Sequence, residues 1–304
     1  MQHTFYSHGK LLITAEYLIL DGAKGLALPT TMGQNLIVKE TDTNTIQWQS
    51  QDVDNSVWFE DVISFQEINE QNNSSPDSVK ARLIAILQVA NAMNPNVFSK
   101  AKGFSVTTQL GFPRNWGLGT SSTLINNIAQ WFQINAFELL KESFGGSGYD
   151  IACAQNNCPI TYALSNGIPT IEPVSFNPKF TQNLYFVYLN QKRNSRSAIA
   201  EYHSNKTSQL SNYINSINTL TQNIITANDL DAFTQLLHQH ETILSGILKT
   251  DTIQNSLFAD FDGAIKSLGA WGGDFVLVVS KENPKPYFVA KGYETVIPYG
   301  EMIL

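Results

Sequence analysis

The sequence predicts an α+β protein built from two halves, and two observations support this prediction. Over the first hundred residues, strand-like segments alternate with polar or glycine-containing turns, and a helix with a regular apolar face follows. The second half again mixes strand-like segments with a polar, mostly helical region, from about 195 to 267. Three prolines between Ile168 and Lys179 mark the predicted domain boundary, which separates residues 1–172 from residues 173–304.

The individual elements follow from local patterns. In the N-terminal half, β-rich or alternating segments predict strands over 11–20, 35–40, 45–50, 57–65 and 103–110. Apolar residues recur at helical spacing over 74–93, where Ser75 and Pro76 suit the first turn, and again over 123–133. Further strands are predicted over 160–166, 170–174, 183–190 and 286–292, and residues 271–280 are predicted as a glycine turn that leads into a buried strand.

Composition excludes several classes of protein. Only 15% of the 304 residues are charged, and the net charge is −7, so we expect no general electrostatic binding of nucleic acid. The apolar run near the N-terminus contains Glu16 and is too short to span a bilayer, so we expect neither a targeting segment nor membrane insertion. Two cysteines are too few for a disulfide framework or a four-cysteine zinc site. The expected location is the cytoplasm.

A glycine-bearing loop over 113–122 lies between a predicted strand and a predicted helix. It contains Gly117-Leu118-Gly119-Thr120-Ser121-Ser122. Glycines allow backbone N–H groups to approach a phosphate closely, and a helix N-terminus attracts anions. The alternative is a tight turn with a Ser or Thr cap. The loop is neither a Walker A sequence nor a dinucleotide fingerprint, because it lacks the Lys of the first and the third glycine of the second.

Three further motifs could carry chemistry. Asp150 follows a cluster of glycines and could act as a base or metal ligand, or merely cap the next helix. Gly269 through Asp274 enter a predicted strand, where a hairpin or bulge is the alternative. Gly9-Lys10 precede the first strand, although a single Lys is usually a solvated charge.

In order and spacing, these four motifs resemble the GHMP kinase family. Residues 8–17 (HGKLLITAEY) resemble its first motif, which is usually Pro-Gly-Lys followed by Gly-Glu-Tyr or Gly-Glu-His. Residues 113–122 resemble its phosphate-binding loop. Residues 269–274, with Lys266 ahead of them, resemble its glycine-rich third motif. The resemblance covers nearly the whole chain. It implies a two-domain fold, with an N-terminal domain like ribosomal protein S5 domain 2 and a C-terminal α/β sandwich of ferredoxin-like type.

The mevalonate branch of the family fits best. Residues 146–152 are similar to the stretch that carries the catalytic aspartate in mevalonate and phosphomevalonate kinases. Trp116 and the Gly-Gly-Asp of the third motif favour phosphomevalonate kinase, whereas residues 192–196 resemble mevalonate kinase. The resemblance implies ATP- and Mg²⁺-dependent phosphorylation of a small anionic substrate, mevalonate or 5-phosphomevalonate. It also allows a homodimer.

The resemblance also implies residue roles. Asp150 would accept the hydroxyl proton, and Lys10 would stabilise developing charge and keep Asp150 ionised. The ATP phosphates would bind Gly117, Leu118, Gly119, Thr120, Ser121 and Ser122. Ser122 would bind Mg²⁺ with Glu138 or Glu142, whose alternative is a solvated helix face. The substrate would bind Glu16, Tyr17, Arg193, Ser195, Arg196, Gly272 and Gly273. The two arginines could pair with a carboxylate or phosphate of the substrate, and the alternative is that they are solvated surface residues.

Four departures from the family motifs leave alternatives open. His8 replaces the usual Pro, Ala15 a Gly, Thr120 a Ser, and Trp271 a Gly. The Trp271 indole must point away from the pocket or reshape it. Diphosphomevalonate decarboxylase is a second enzyme hypothesis, disfavoured by Lys10, which that branch does not usually keep. A third is a non-catalytic member that binds nucleotide or a partner protein.

Overall fold

The computed structural model describes residues 1–70, 78–191, 195–204, 209–269, 271 and 273–304, with only the backbone of residues 195–197. The chain forms two compact units. The first unit comprises Met1–Gly9, Met32–Arg114 and Leu118–Gln155, and the second comprises Lys10–Thr31, Asn115–Gly117 and Asn156–Leu304. Each is therefore assembled from segments that are distant in the sequence.

The first unit contains a sheet with the strand order β4-β3-β5-β2, in which β1 also pairs with β2. Its strands are β1 (Gln2–Leu12), β2 (Gly25–Thr41), β3 (Thr45–Gln51), β4 (Val57–Ser64) and β5 (Gly103–Leu110). β3 pairs with β5 in parallel, and the β3–β4 and β2–β5 pairs are antiparallel. Both β1 and β2 continue into the second unit along the chain.

Helices cover the apolar face of this sheet. They are α1 (Phe65–Asn69), α2 (Val79–Met93), α3 (Asn96–Ser99), α4 (Thr120–Phe132), α5 (Ala136–Ser143) and α6 (Tyr149–Gln155). The core between them contains Val38, Trp48, Leu87, Phe104 and Ile128. Burial of such side chains stabilises a fold by about 1.5–3 kcal/mol each, so this core holds α4 firmly on the sheet.

The second unit has a four-stranded antiparallel sheet of order β11-β8-β10-β9. These strands are β8 (Leu184–Tyr188), β9 (Ala264–Ser267), β10 (Phe275–Val279) and β11 (Val296–Pro298). β6 (Ile160–Ser165) pairs with β7 (Ile168–Pro173) and with Gly25–Ala27 of β2. The helices are α7 (Ser195–Ser204), α8 (Leu210–Thr226), α9 (Leu230–Leu248), α10 (Ile253–Leu257), α11 (Lys285–Ala290) and α12 (Tyr299–Met302).

The α+β class and most of the predicted elements are confirmed, and two strand predictions are wrong. The strand predicted over 11–20 ends at Leu12, and a 3₁₀ turn follows at Leu18–Asp21. The strand predicted over 286–292 is helix α11, whose first turn contains a proline. Short apolar runs do not distinguish strand from helix, which explains the second error. Helix α2 begins after Ser78, whose side chain caps it, whereas Ser75 and Pro76 lie outside the described residues.

Within the described part of the chain, no helix has the length and apolar character needed to cross a bilayer.

Candidate functional site

The phosphate-loop motif ends at the N-terminus of helix α4. Gly119 is the N-cap residue in a left-handed conformation (φ 99°), and it supplies no side-chain cap. The hydroxyl of Ser122 donates back to the carbonyl oxygen of Gly119 at 2.9 Å. The first N–H groups of α4 therefore receive no acceptor from their N-cap side chain, which is the arrangement that suits an anion.

A buried ladder of polar side chains anchors α4 to β1 and β2. The hydroxyl of Thr123 donates to Gln34 Oε1 (2.6 Å), and Asn127 Nδ2 donates to the Gln34 carbonyl oxygen (2.9 Å). Ser7 Oγ donates to Asn127 Oδ1 (2.7 Å) and accepts from Asn126 Nδ2 (2.8 Å). The predictions from the sequence did not include this ladder, although two adjacent asparagines within the apolar stripe of a helix were its signal. The ladder fixes the helix end that the loop approaches.

Asp150 lies in the first turn of helix α6 and is half-buried. It does not precede the helix as a capping residue would. Gly145, Gly146 and Gly148 have positive φ values of 77°, 112° and 87°, so the turn before α6 uses conformations that favour glycine. Helix α6 packs against α4, and Gln155 Nε2 donates to Asn126 Oδ1 at 2.9 Å. The catalytic candidate and the phosphate loop thus belong to neighbouring helices of one unit.

The two candidate metal carboxylates lie on helix α5. Glu138 and Glu142 are both exposed and are four residues apart, so they share a helix face. The carboxylate of Glu142 lies 3.8 Å from Lys141 Nζ. Among the described residues, no three His, Cys, Asp or Glu side chains are grouped so as to hold a metal ion. The assignment of Ser122, Glu138 and Glu142 to Mg²⁺ stays a prediction.

In the second unit, the first motif forms a strained turn after β1. Lys10 is half-buried on β1, and Glu16 lies between two non-glycine residues with positive φ, Ala15 (69°) and Tyr17 (63°). Each such residue costs about 1–2 kcal/mol, which explains why the family usually has glycine at the first of these positions. The backbone N–H of Ala15 donates to Nε2 of His240 (3.0 Å), which helps to hold the turn.

Four ionisable side chains form a buried charged cluster around Glu16. They are Glu16, His240, Glu241 and Lys266, each less than 5% exposed. Lys266 Nζ donates to Glu16 Oε1 and lies 3.6 Å from Glu241 Oε1. His240 Nε2 lies 3.5 Å from Glu16 Oε2. A sequence pattern does not show this cluster, because its members come from positions far apart in the chain.

Burial controls the protonation of this cluster. Desolvation raises the pKa of Glu241 to about 8, against the opposing effect of Lys266, so this carboxyl is protonated at neutral pH. Desolvation lowers the pKa of His240 well below its usual value, and Lys266 adds to that effect. Because Ala15 donates to Nε2, the neutral ring carries its proton on Nδ1. Desolvation also raises the pKa of Glu16, which the hydrogen-bonded Lys266 opposes.

Replacing Glu241 by Gln should flatten the pH dependence of stability near neutrality. The pKa of Glu241 is about 8 in the folded state and 4.5 in the unfolded state. The contribution of Glu241 to the free energy of unfolding is therefore complete below pH 4.5 and is lost as the pH rises to 8. His240 has a lowered pKa and reduces stability only below its unfolded value of 6.5, outside the window from 6.5 to 8. Urea unfolding across that window should show a falling free energy for the wild type and a flatter one for E241Q. The exposed variant E282Q should follow the wild type, and equal slopes for E241Q and wild type would contradict the assignment.

Aromatic side chains connect the first and third motifs. The hydroxyl of Tyr17 accepts a hydrogen bond from the backbone N–H of Trp271 (3.0 Å), and its ring packs on Tyr202 with centroids 5.6 Å apart. Tyr202 donates to a carboxylate oxygen of Asp21 (2.5 Å). The indole of Trp271 is 2% exposed and donates from Nε1 to the carbonyl oxygen of Asp251 (3.3 Å). The large residue in the glycine-rich motif is therefore directed into the second unit.

Asp274, at the end of the third motif, packs against Gly117. A Cβ added to Gly117 would lie 2.4 Å from Cγ of Asp274, so only glycine fits there. The neighbouring Trp116 ring meets Phe275 edge-on at 5.3 Å, and Tyr188 donates to the Asn115 carbonyl oxygen at 3.2 Å. These contacts seat residues 115–117 on strands β8 and β10.

The remaining predicted substrate residues are described only in part. Arg193 and Gly272 lie outside the described residues. Ser195 and Arg196 begin helix α7, where only their backbone is described. Gly273 is buried and precedes Asp274. Their proposed contacts with substrate stay predictions.

No protein-family model matches the sequence, and no curated protein matches it. Several solved structures do match. The mevalonate kinase of Methanococcus jannaschii has a TM-score of 0.71 at 14% identity, over 97% of this chain and 96% of that chain. The phosphomevalonate kinase of Streptococcus pneumoniae, solved with phosphomevalonate and AMPPNP, has a TM-score of 0.69 at 16% identity, over 95% of each chain. The galactokinase of Lactococcus lactis, solved with galactose, has a TM-score of 0.70 at 13% identity, over 98% of this chain and 94% of that chain.

These matches cover almost the whole of each chain and have similar scores. At such low sequence identity, they concern the fold and do not distinguish one acceptor from another. Kinases of the mevalonate branch are among them, as the motifs predicted. This chain has the fold of the GHMP kinases.

Proposed function

We propose that this protein is an ATP-dependent small-molecule kinase of the GHMP family that phosphorylates mevalonate or 5-phosphomevalonate. The observation that supports it most directly is the start of helix α4, where Gly119 leaves the first-turn N–H groups without a side-chain cap. The four motifs occur in the family's order on the family's fold.

The nucleotide is assigned to residues 117–122. Phosphoryl transfer depends mainly on positioning and on neutralising the charge of the phosphates. Uncapped N–H groups at the start of a helix provide both, because they point along the helix axis toward the anion. The ladder through Gln34 and Asn127 keeps that end of α4 in place. We assign the backbone of this loop to the ATP phosphates.

Ser122, Glu138 and Glu142 would hold Mg²⁺. Their oxygen atoms fit this ion, which usually binds one or two carboxylates together with nucleotide phosphates and water. Nucleotide phosphates and water would complete the coordination. When bound, Mg²⁺ neutralises charge on the β- and γ-phosphates.

Asp150 and Lys10 would act on the acceptor. With a mevalonate hydroxyl, Asp150 takes the proton as the acceptor oxygen bonds to the γ-phosphorus, the bond to the bridging oxygen breaks, and ADP leaves. Lys10 supplies positive charge for the transferred group. With 5-phosphomevalonate, the nucleophile is already a phosphate oxygen, so Lys10 matters more and Asp150 less. Arg193 and Arg196 are assigned to the acceptor's carboxylate or phosphate.

The test is ADP release by the purified protein with Mg²⁺-ATP and four acceptor conditions: mevalonate, 5-phosphomevalonate, galactose and none. We expect turnover with one of the first two and a phosphorylated product by ³¹P NMR. Turnover with galactose alone would replace the acceptor assignment. Bound ATP without turnover would indicate a non-catalytic protein, and release of CO₂ from diphosphomevalonate would indicate a decarboxylase.

A further inference from the structure

The buried charged cluster is costly, because it removes the ion pair of Glu16 and Lys266 from water together with two further polar side chains. Removing an ion from water costs several kcal/mol, and a well-packed apolar replacement of a buried ion pair is often equally stable or more so. Stability alone therefore does not account for Glu16, His240, Glu241 and Lys266. Their backbone contacts indicate a different role.

Among the described residues, these contacts go to the turn over 13–17 and to Ser267, the last residue of β9. His240 Nε2 accepts from the Ala15 N–H at 3.0 Å. Glu241 Oε2 accepts from the Ser267 N–H at 3.2 Å, and Lys266 Nζ donates to the Ser267 carbonyl oxygen at 2.8 Å. The cluster thus forms hydrogen bonds to the backbone of the turn and to the backbone at the end of β9.

Helix α9 supplies the common base for these bonds. His240 and Glu241 are consecutive on α9, so they project about 100° apart, and one reaches the turn while the other reaches Ser267 at the end of β9. Helix α9 also packs against β9, the strand that carries Lys266. The hydrogen bond between Tyr17 and Trp271 connects the turn to the third motif, which follows β9. Together these connections fix the turn relative to the end of β9.

The turn needs such support because its conformation is unfavourable on its own. Ala15 and Tyr17 both have left-handed φ values, and strained backbone persists only where the surroundings over-determine it. Thr14 adds a further bond, since its hydroxyl accepts from the Leu26 N–H at 2.8 Å. The hydrogen bond from the Ala15 N–H to His240 therefore helps to hold the turn in this conformation.

We infer that the buried charged cluster positions the acceptor side of the kinase, holding the turn over 13–17 in register with the end of β9 at Ser267, where the chain enters the third motif. The inference rests on the proposed function and on the family resemblance, which places the first and third motifs on the acceptor side through Tyr17 and Gly273. It makes His240, Glu241 and Lys266 positioning residues that act through backbone. It also makes Glu16 a positioning residue and not a substrate ligand, because its carboxylate is 1% exposed and bonded to Lys266.

The kinetic test compares K266M, the double variant E16Q/K266M and the control K281M. Lys281 is an exposed lysine of the same unit, so K281M removes the same charge without touching the cluster. We expect KM for the acceptor to rise about tenfold or more in both cluster variants, with KM for ATP within about twofold of wild type. The double variant leaves no unpaired buried charge, so it remains informative if K266M does not fold. Unchanged KM values for both substrates would overturn the inference.

A second measurement does not depend on activity. Amide hydrogen exchange should increase in peptides covering residues 12–20 and 264–275 of the cluster variants, while peptides from α4 and β5 keep wild-type protection. If the wild type phosphorylates no acceptor, the proposed function fails, but the exchange result still decides whether the cluster holds these segments. A uniform increase across the chain, or none, would show that the cluster contributes to stability alone and would overturn the inference.

Discussion

Asp150→Asn should reduce kcat on mevalonate by about 10²- to 10⁴-fold and leave the affinity for Mg²⁺-ATP close to wild type. An amide has the shape of the carboxylate but does not accept the hydroxyl proton. Asp150 is half-buried in the first turn of α6, so the substitution should not disturb packing. The measurements are steady-state ADP release and direct nucleotide binding by calorimetry.

The matched control for this variant is Asp42→Asn. The side chain of Asp42 is 89% exposed and lies in the turn between β2 and β3, so it should behave as wild type. A loss of less than about tenfold on mevalonate would rule out Asp150 as the general base, since general bases contribute more than that. A loss of ATP affinity equal to the loss of rate would instead assign Asp150 to the nucleotide.

Gly117→Ala should impair both stability and ATP binding. The added Cβ would lie 2.4 Å from Asp274 Cγ, and the φ of 69° is itself unfavourable for alanine. Together these effects should reduce the free energy of unfolding by about 2–4 kcal/mol. Because Gly117 leads directly into the phosphate loop, KM for ATP should rise about tenfold or more. Urea unfolding and ATP-dependent kinetics measure the two effects separately.

Gly167→Ala separates the steric effect at Gly117 from the backbone effect. Gly167 has a φ of 78° but open space where its Cβ would be, so G167A should show only the backbone cost of about 1–2 kcal/mol. The double variant G117A/D274G removes the clash and should recover stability relative to G117A. If G117A were no more damaging than G167A, the contact with Asp274 would have no energetic importance.

Local chemistry explains what the sequence predicted correctly. The strand over 103–110 follows from strict alternation, and helix α4 follows from an apolar stripe after a glycine loop. Both patterns involve neighbours in the chain. The strand predicted over 11–20 failed because the left-handed residues Ala15 and Tyr17 depend on support from elsewhere, including a hydrogen bond to His240.

Long-range pairing explains what the sequence did not show. Lysine is usually exposed, so nothing in the local sequence around Lys266 indicates that it is buried beside Glu16, 250 positions away. Nothing in the local sequence around His240 indicates that its partner is the backbone of Ala15, 225 positions away. The packing of Asp274 on Gly117 likewise joins two motifs that the sequence presents separately.

The buried charged cluster also restricts how this protein can evolve. Loss of Lys266 alone would leave the carboxylate of Glu16 enclosed without a cation, which typically costs about 3–5 kcal/mol. Loss of Glu16 alone would leave Lys266 with Glu241, 3.6 Å away, in place of its hydrogen-bonded carboxylate. A descendant can therefore exchange the pair for apolar residues only through a poorly folded ancestor or by simultaneous change. The residues of the cluster should therefore be conserved or substituted together, with strong epistasis between them, while residues of the surrounding surface are substituted independently.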